Sequence, residues 1–165
     1  MSASILTADR LRKLLDYDHA SGIFIWRVNR GRVMAGIVAG YYDKEGYISI
    51  KIDGIQYKAH RLAWFYETGE WPTMNLDHRD GNRSSNQLDN LRLATQHQNM
   101  QNKRKAHINS RSGILGVSWD KNNKRWEASI YVAGKTRHIG RFSTSKEASD
   151  AYITAKREYH EFCTI

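Results

Sequence analysis

A chain of 165 residues with 26 Lys and Arg against 17 Asp and Glu carries a net charge of +9, and its 40% apolar share suffices for one ordinary domain or two small ones, which excludes a disordered tail. Its one cysteine, Cys163, excludes an intramolecular disulfide and a Cys-rich zinc site, so a metal would be held by oxygen or imidazole, as fits a reducing cytoplasm. No export signal, and no run of about 18 apolar residues as a membrane span needs, is visible.

The basic residues are spread along the chain and interleaved with aromatics, which favours nucleic acid over an anionic membrane as the partner. Residues 5–15 place Ile5, Leu6, Leu11, Leu14 and Leu15 at helical spacing with Thr7 in capping position, and predict a short amphipathic helix. GIFIWRV at 22–28 is rich in strand formers, and GYISIKI at 46–52 alternates cleanly before Asp53-Gly54 and a partner run at 55–59, which predicts a hairpin. HRLAWFYE at 60–67 returns to helical spacing until Thr68-Gly69 and Pro72, with His60 a packed helix-start residue and Trp64 and Trp71 in the core.

The next stretch, LDHRDGNRSSNQLDN at 76–90, is too polar for a core element; Gly81, Asn82 and Asn86 are loop formers. Leu91 to Ala94 suits a short strand, and Thr95 followed by Gln98 is a capping box that opens a helix through about Lys103. KRKAHINSRS at 103–112 has no periodicity and reads as a basic linker lying along phosphate. Beyond it, residues 115–119, 125–132 and 136–142 predict three short strands joined by turns at 120–123 and 133–134. A helix capped by Ser145 follows, burying Ala151, Tyr152, Ala155, Tyr159 and Phe162.

The polar loop, with the strand and helix that follow it, holds the parts that phosphodiester hydrolysis needs. His78 can be the base near neutral pH, Asp77 and the amide oxygen of Asn99 can ligate Mg²⁺ or Mn²⁺, and the carbonyl of Asn90 can hold the imidazole in one tautomer. Neighbouring strand residues point to opposite faces, so Asp77 and His78 need a bend or a metal to address one point. The run LDHRDGNRSSNQLDNLRLATQHQNMQN resembles the HNH endonuclease motif, the ββα-metal nuclease fold in its phage homing-endonuclease form. Including the GYISIKIDG hairpin and the AHRLAW helix, the resemblance covers residues 15–103. It implies that Asp77 and Asn99 ligate the metal, that His78 is the general base and that Asn90 positions it. Many members have His in place of Asn99; His97, two residues away, is the other candidate. Arg79, Arg83, Arg92, Lys103, Arg104 and Lys105 read as phosphate contacts.

GILGVSWDKNNKRWEASIYVAGKTRHIGRFSTSKEASDAYITAKREYHEF, from Gly113 to Phe162, resembles the APETALA/ethylene-response-factor type of DNA-binding domain. That likeness implies a three-stranded sheet that enters the major groove with its open face and is backed by the helix. Alternation puts Trp126, Ala128 and Ile130 toward the helix. It leaves Arg125, Glu127, Ser129 and Tyr131, with Lys135 and His138 from the neighbouring strand, for DNA.

The expectation is therefore an α+β chain: an HNH ββα-metal module preceded by a β-hairpin over residues 1–103, a basic linker at 104–112, and a small three-stranded antiparallel sheet on one helix at 113–165. Its function would be site-specific cleavage of double-stranded DNA in the host cytoplasm by a phage-encoded homing-type endonuclease, a monomer with a dimer as the alternative, nicking one strand per active centre. A non-catalytic DNA-binding regulator is the main rival, and an RNA-binding protein the more distant one.

Overall fold

The computed structural model describes residues 6–165, so the expectation for Ile5 lies outside the described residues. The chain separates into two compact units, residues 1–95 and 96–165, each built of small antiparallel sheets or one sheet with helices.

In the first unit, α1 (Ala8–Leu14) begins at Thr7, whose hydroxyl accepts from the N–H of Arg10 at 3.2 Å. The predicted helix ends one residue early. At Leu15 the chain turns extended and forms β1 (Leu15–Asp18), antiparallel to β2 (Ile23–Trp26), because Leu15 and Tyr17 bury one face of a strand beside Phe24 and Trp26. A second sheet has the order β3-β4-β5, from β3 (Tyr41–Tyr42), β4 (Ile48–Ile52) and β5 (Ile55–Lys58). Ile52 pairs with Ile55 around Asp53-Gly54, both at positive φ, the two-residue turn that the Asp-Gly pair predicts.

Helix α2 (Ala59–Thr68) lays Ala59, Leu62, Ala63 and Phe65 on this sheet, and Trp71 stacks on Phe65 at 4.2 Å between ring centroids. The third sheet is the hairpin of β6 (Asn75–His78) and β7 (Leu91–Ala94), with Leu76 and Leu91 in the same core as Leu11, Leu15, Phe24, Ile50 and Leu62. Each such side chain removed from water contributes about 1.5–3 kcal/mol, which fixes the inward face of β1 with Leu15 and Tyr17, whereas β6 buries Leu76, Asp77 and His78 in succession.

The second unit starts with α3 (Gln96–Gln101), the helix of Asn99, which carries no fully buried residue. The segment after it is tied to the C-terminal tail: Thr164 Oγ1 donates to Asn102 at 2.7 Å, Arg104 donates to the Thr164 carbonyl at 3.0 Å, and Lys156 donates to the carbonyl of Lys103. Lys156 is 1% exposed, and burial pushes its ammonium below the ordinary value.

Beyond the linker, β8 (Val117–Asp120), β9 (Arg125–Val132) and β10 (Lys135–Phe142) form an antiparallel sheet in the order β10-β9-β8, with a bulge between His138 and Gly140. Ala128 and Ile130 pack with Val117 against Ala148, Tyr152 and Ala155 of α4 (Ser145–Tyr159). The cap of α4 is Thr144 and not Ser145. Its hydroxyl accepts from Glu147 N–H at 3.2 Å while the Glu147 carboxylate accepts from Thr144 N–H, a reciprocal pair that Ser145 with Ala148 could not make.

Asp43 organises the turn before β4. Its carboxylate accepts from the N–H groups of Glu45 and Tyr47, from Ser49 and from the Lys58 ammonium. Lys58 first, then these N–H groups, hold the Asp43 carboxyl well below the ordinary value of 3.8. A folded-state value below the unfolded one stabilises above the unfolded value and loses that stabilisation as pH falls through the folded one. Asp43→Asn is therefore expected to lower the melting temperature at pH 7, with the gap to the parent narrowing below about pH 4; thermal melts across pH check this.

Candidate functional site

The loop between β6 and β7 folds because its polar residues satisfy one another. The N–H of Gly81 donates to the His78 carbonyl at 2.9 Å, and the N–H of Asn82 donates to Asp80 Oδ1 at 2.8 Å. Asn90 closes the loop at its far end: its Nδ2 donates to Asp80 Oδ1 and to the Ser85 carbonyl, its Oδ1 accepts from Asp80 N–H, and its backbone carbonyl accepts from Arg79 N–H. The Asn90 carbonyl expected on the imidazole is thus spent on the loop.

The amide beside His78 is Asn86. Its Oδ1 lies 3.3 Å from Nε2 of His78, the arrangement of an Nε2–H donating to an amide oxygen, and in that neutral tautomer the ring's lone pair is on Nδ1. Asn86 is itself buried, with Nδ2 donating to the Ser84 carbonyl and its own carbonyl accepting from the Tyr17 hydroxyl at 2.8 Å. Burial raises the Tyr17 phenol to about 12, so it stays a donor. Gly22 packs directly behind: a Cβ there would sit 2.4 Å from the Gln87 nitrogen. The β1–β2 hairpin therefore buttresses the loop at the point where it touches His78.

His78 is 4% exposed, and burial first of all holds its imidazole below the ordinary value, against the opposing pull of Asn86, Asp80 and Asp77. It is the neutral, proton-accepting form that this environment favours. The ring of His60 meets it edge-on at 5.1 Å and that of Tyr47 lies at 5.9 Å. His60 is buried as expected of a packed helix-start residue, its pKa is driven by burial to about 3, and its Nδ1 has no hydrogen-bond partner among the described residues.

Asp77 is buried on β6 opposite Arg92 of β7, and Oδ2 accepts from Nε at 2.9 Å and Nη2 at 2.8 Å of that guanidinium. Arg92, read from sequence as a phosphate contact, thus holds the carboxylate in one orientation. Arg83 donates to the Glu45 carbonyl at 2.7 Å and lies 4.9 Å over the Tyr47 ring, and Arg79 is exposed. Asp77 and His78 belong to the first unit, while Asn99, half-buried on α3, and His97, exposed on the same helix, belong to the second. Of the linker cations, Arg104 engages Thr164, and Lys103 and Lys105 are exposed.

Among the described residues no three His, Cys, Asp or Glu side chains cluster as a metal cage. The oxygen donors of Asp77 and Asn99 are nonetheless of the type that hard cations take, and Mg²⁺ ordinarily completes its shell with water and phosphate.

On the second unit's sheet, Arg125, Tyr131, Lys135 and His138 are exposed and Glu127 and Ser129 half-buried. His138 Nδ1 lies 2.8 Å from Glu127 Oε1, and Arg125 donates to the Ser143 hydroxyl.

Sequence patterning missed Asn86, Tyr17 and Gly22 as parts of the site. Tyr17 sits in a stretch of alternating polarity, LDYD, and that alternation is the one signal that could have placed it on a strand.

Comparison with known proteins brings a family into view. The HNH endonuclease profile matches residues 57–101. Protein 3.8 of Escherichia phage T7 is 33% identical over 108 residues, which span 63% of this chain and 88% of that protein. An uncharacterized HNH endonuclease, L560, of Acanthamoeba polyphaga mimivirus is 31% identical over 125 residues, 74% of this chain and 63% of its own length, so it extends well beyond the shared part. No solved structure matches the chain significantly.

Two substitutions probe the buttress. Tyr17→Phe leaves the buried Asn86 carbonyl unpaired and is expected to cost about 1–3 kcal/mol in urea unfolding, with the phenyl ring still filling its place. Gly22→Ala forces a side chain into backbone at φ +73, and is expected to cost at least about 1–3 kcal/mol in the same measurement.

Proposed function

The chain belongs to the same family as Protein 3.8 of Escherichia phage T7 and carries an HNH endonuclease domain, and from that premise we propose that it is a site-specific, homing-type DNA endonuclease that hydrolyses a phosphodiester bond with His78 as general base. The observation that carries the reading is the buried imidazole of His78, held by the Asn86 amide at 3.3 Å, adjacent to Asp77 and inside the segment that matches the HNH profile.

In this mechanism the neutral ring accepts a proton from water at Nδ1, the water oxygen bonds to phosphorus, and the bond from phosphorus to the leaving sugar oxygen breaks. Asn86 Oδ1 accepts from Nε2–H, orients the ring, and favours the imidazolium as the proton arrives. Asn90 acts at one remove: it pins the loop and so positions Asn86 and His78. Arg92 fixes the direction of the Asp77 carboxylate. A divalent cation, Mg²⁺ or Mn²⁺, held by Asp77 and, on the motif's spacing, by the amide oxygen of Asn99, would polarise the phosphoryl oxygen and stabilise the leaving oxyanion. One such centre serves one strand, so a monomer nicks.

The module at 113–165 would place the cut, reading the major groove of duplex DNA in the APETALA/ethylene-response-factor manner. Arg125, Glu127, Ser129, Tyr131, Lys135 and His138 lie on the strands concerned, and Ala128 and Ile130 face α4. Lys103, Arg104 and Lys105, with Arg79 and Arg83, add phosphate contacts.

Supercoiled plasmid incubated with Mg²⁺ tests the proposal. The full chain is expected to convert it to open circles, EDTA to stop the reaction, and His78→Ala to slow it by at least about 10²-fold. Binding of DNA without metal-dependent nicking would assign the chain to the non-catalytic regulators instead.

A further inference from the structure

Within the first unit, an open groove of about 560 Å³ lies against the 27–40 segment, β3 and the β4–β5 turn, and it shares no residue with the Asp77–His78 hairpin. Arg30 and Lys51 line it, together with buried Trp26 and the exposed ring of Tyr41. Gly31 and Gly54 also line it, and a Cβ added at either would meet nothing within 4 Å, so nothing fills the space above them.

The cation on one wall is held in place by its backbone turn and by two contacts of its guanidinium. Arg30 and Val33 exchange backbone hydrogen bonds at 2.7 and 3.0 Å around a tight turn. The Arg30 guanidinium lies 4.4 Å from the Trp26 ring centroid, and its Nη1 donates to the Lys51 carbonyl at 2.8 Å. A guanidinium so placed loses little further freedom on meeting an anion. Lys51 is exposed on β4. The one acid on the adjoining turn, Asp53, is paired with Arg10 at 3.1 Å and offsets Arg30 only in part, while Arg32 adds exposed positive charge on the 27–40 segment.

Two fixed or exposed cations, no acid in the lining and an exposed aromatic ring make the signature of a site that follows a sugar-phosphate chain: the cations meet phosphates and the ring meets sugar or base. An acidic protein surface would find the cations but gain little from Tyr41, 53% exposed on an edge strand whose neighbour Tyr42 is 70% exposed. We propose that this groove binds the backbone of the DNA substrate at a stretch away from the bond to be cut, with Arg30 and Lys51 as phosphate ligands and Tyr41 against the sugar or base. The inference rests on the endonuclease reading above, since it makes the groove part of how the same substrate is held.

Binding of the full chain to labelled duplex DNA, measured by fluorescence anisotropy without divalent metal over a range of salt concentrations, tests it. Lys51→Gln is the cleanest variant, because Lys51 supports Arg30 through its backbone carbonyl, which the substitution keeps. Its expected effect is a weaker affinity, equal on unrelated sequences, with the slope of log K against log salt falling by about one unit and the melting temperature unchanged. Tyr41→Ala should weaken binding and leave that slope unaltered. Wild-type affinity and slope in Lys51→Gln together with wild-type affinity in Tyr41→Ala would overturn the groove while the plasmid assay left the nuclease reading standing. A full chain that neither binds nor nicks DNA would remove both.

Discussion

Asn86 has to satisfy an amide and a backbone carbonyl inside the core of the first unit, and the way it does so determines the position of the His78 ring. A buried polar group left unpaired costs about as much as several good apolar contacts gain, so the Tyr17 hydroxyl, the Ser84 carbonyl and the His78 Nε2–H are required partners of one residue. The consequences reach in both directions. Toward the surface, the loop between β6 and β7 takes its course from Asn86 and is closed by Asn90; toward the interior, β1 and β2 must pack close enough for Gly22 to touch the Asn86–Gln87 backbone.

The same burial sets the electrostatics. The protein is strongly basic, and burial lowers the pKa of the imidazole at the site, while the neighbouring carboxylate is matched by a guanidinium directly across the hairpin. The charge of Arg83, on the loop itself, adds to burial in lowering the His78 pKa, against the opposing pull of Asp80 and Asp77.

Most strands were legible in the sequence because alternation over five to eight residues has one solution when one face is buried: Arg125 to Val132, with Ala128 and Ile130 inward, is a case. The first strand was not, since Leu14 and Leu15 continue a helical pattern and only contact with Phe24 and Trp26 in space makes Leu15 extended. The cap of the last helix was misplaced by one residue because Thr144 and Ser145 are both good caps, and the choice falls to the residue whose third neighbour is a glutamate. At the candidate site, the partners of each polar residue were not legible. Asn86 and Asn90 look alike in a polar loop, yet one touches the ring and the other ties the loop, and Arg92 is claimed by Asp77 through strand register that the string of letters does not display.

Because the Tyr17 hydroxyl joins the loop to the apolar interior, the loop cannot melt on its own without stranding a phenol and a carbonyl in a place that water does not reach. Heating the first unit should therefore undo the loop and the compact form in a single cooperative transition, with no intermediate temperature at which an intact scaffold carries a slack loop.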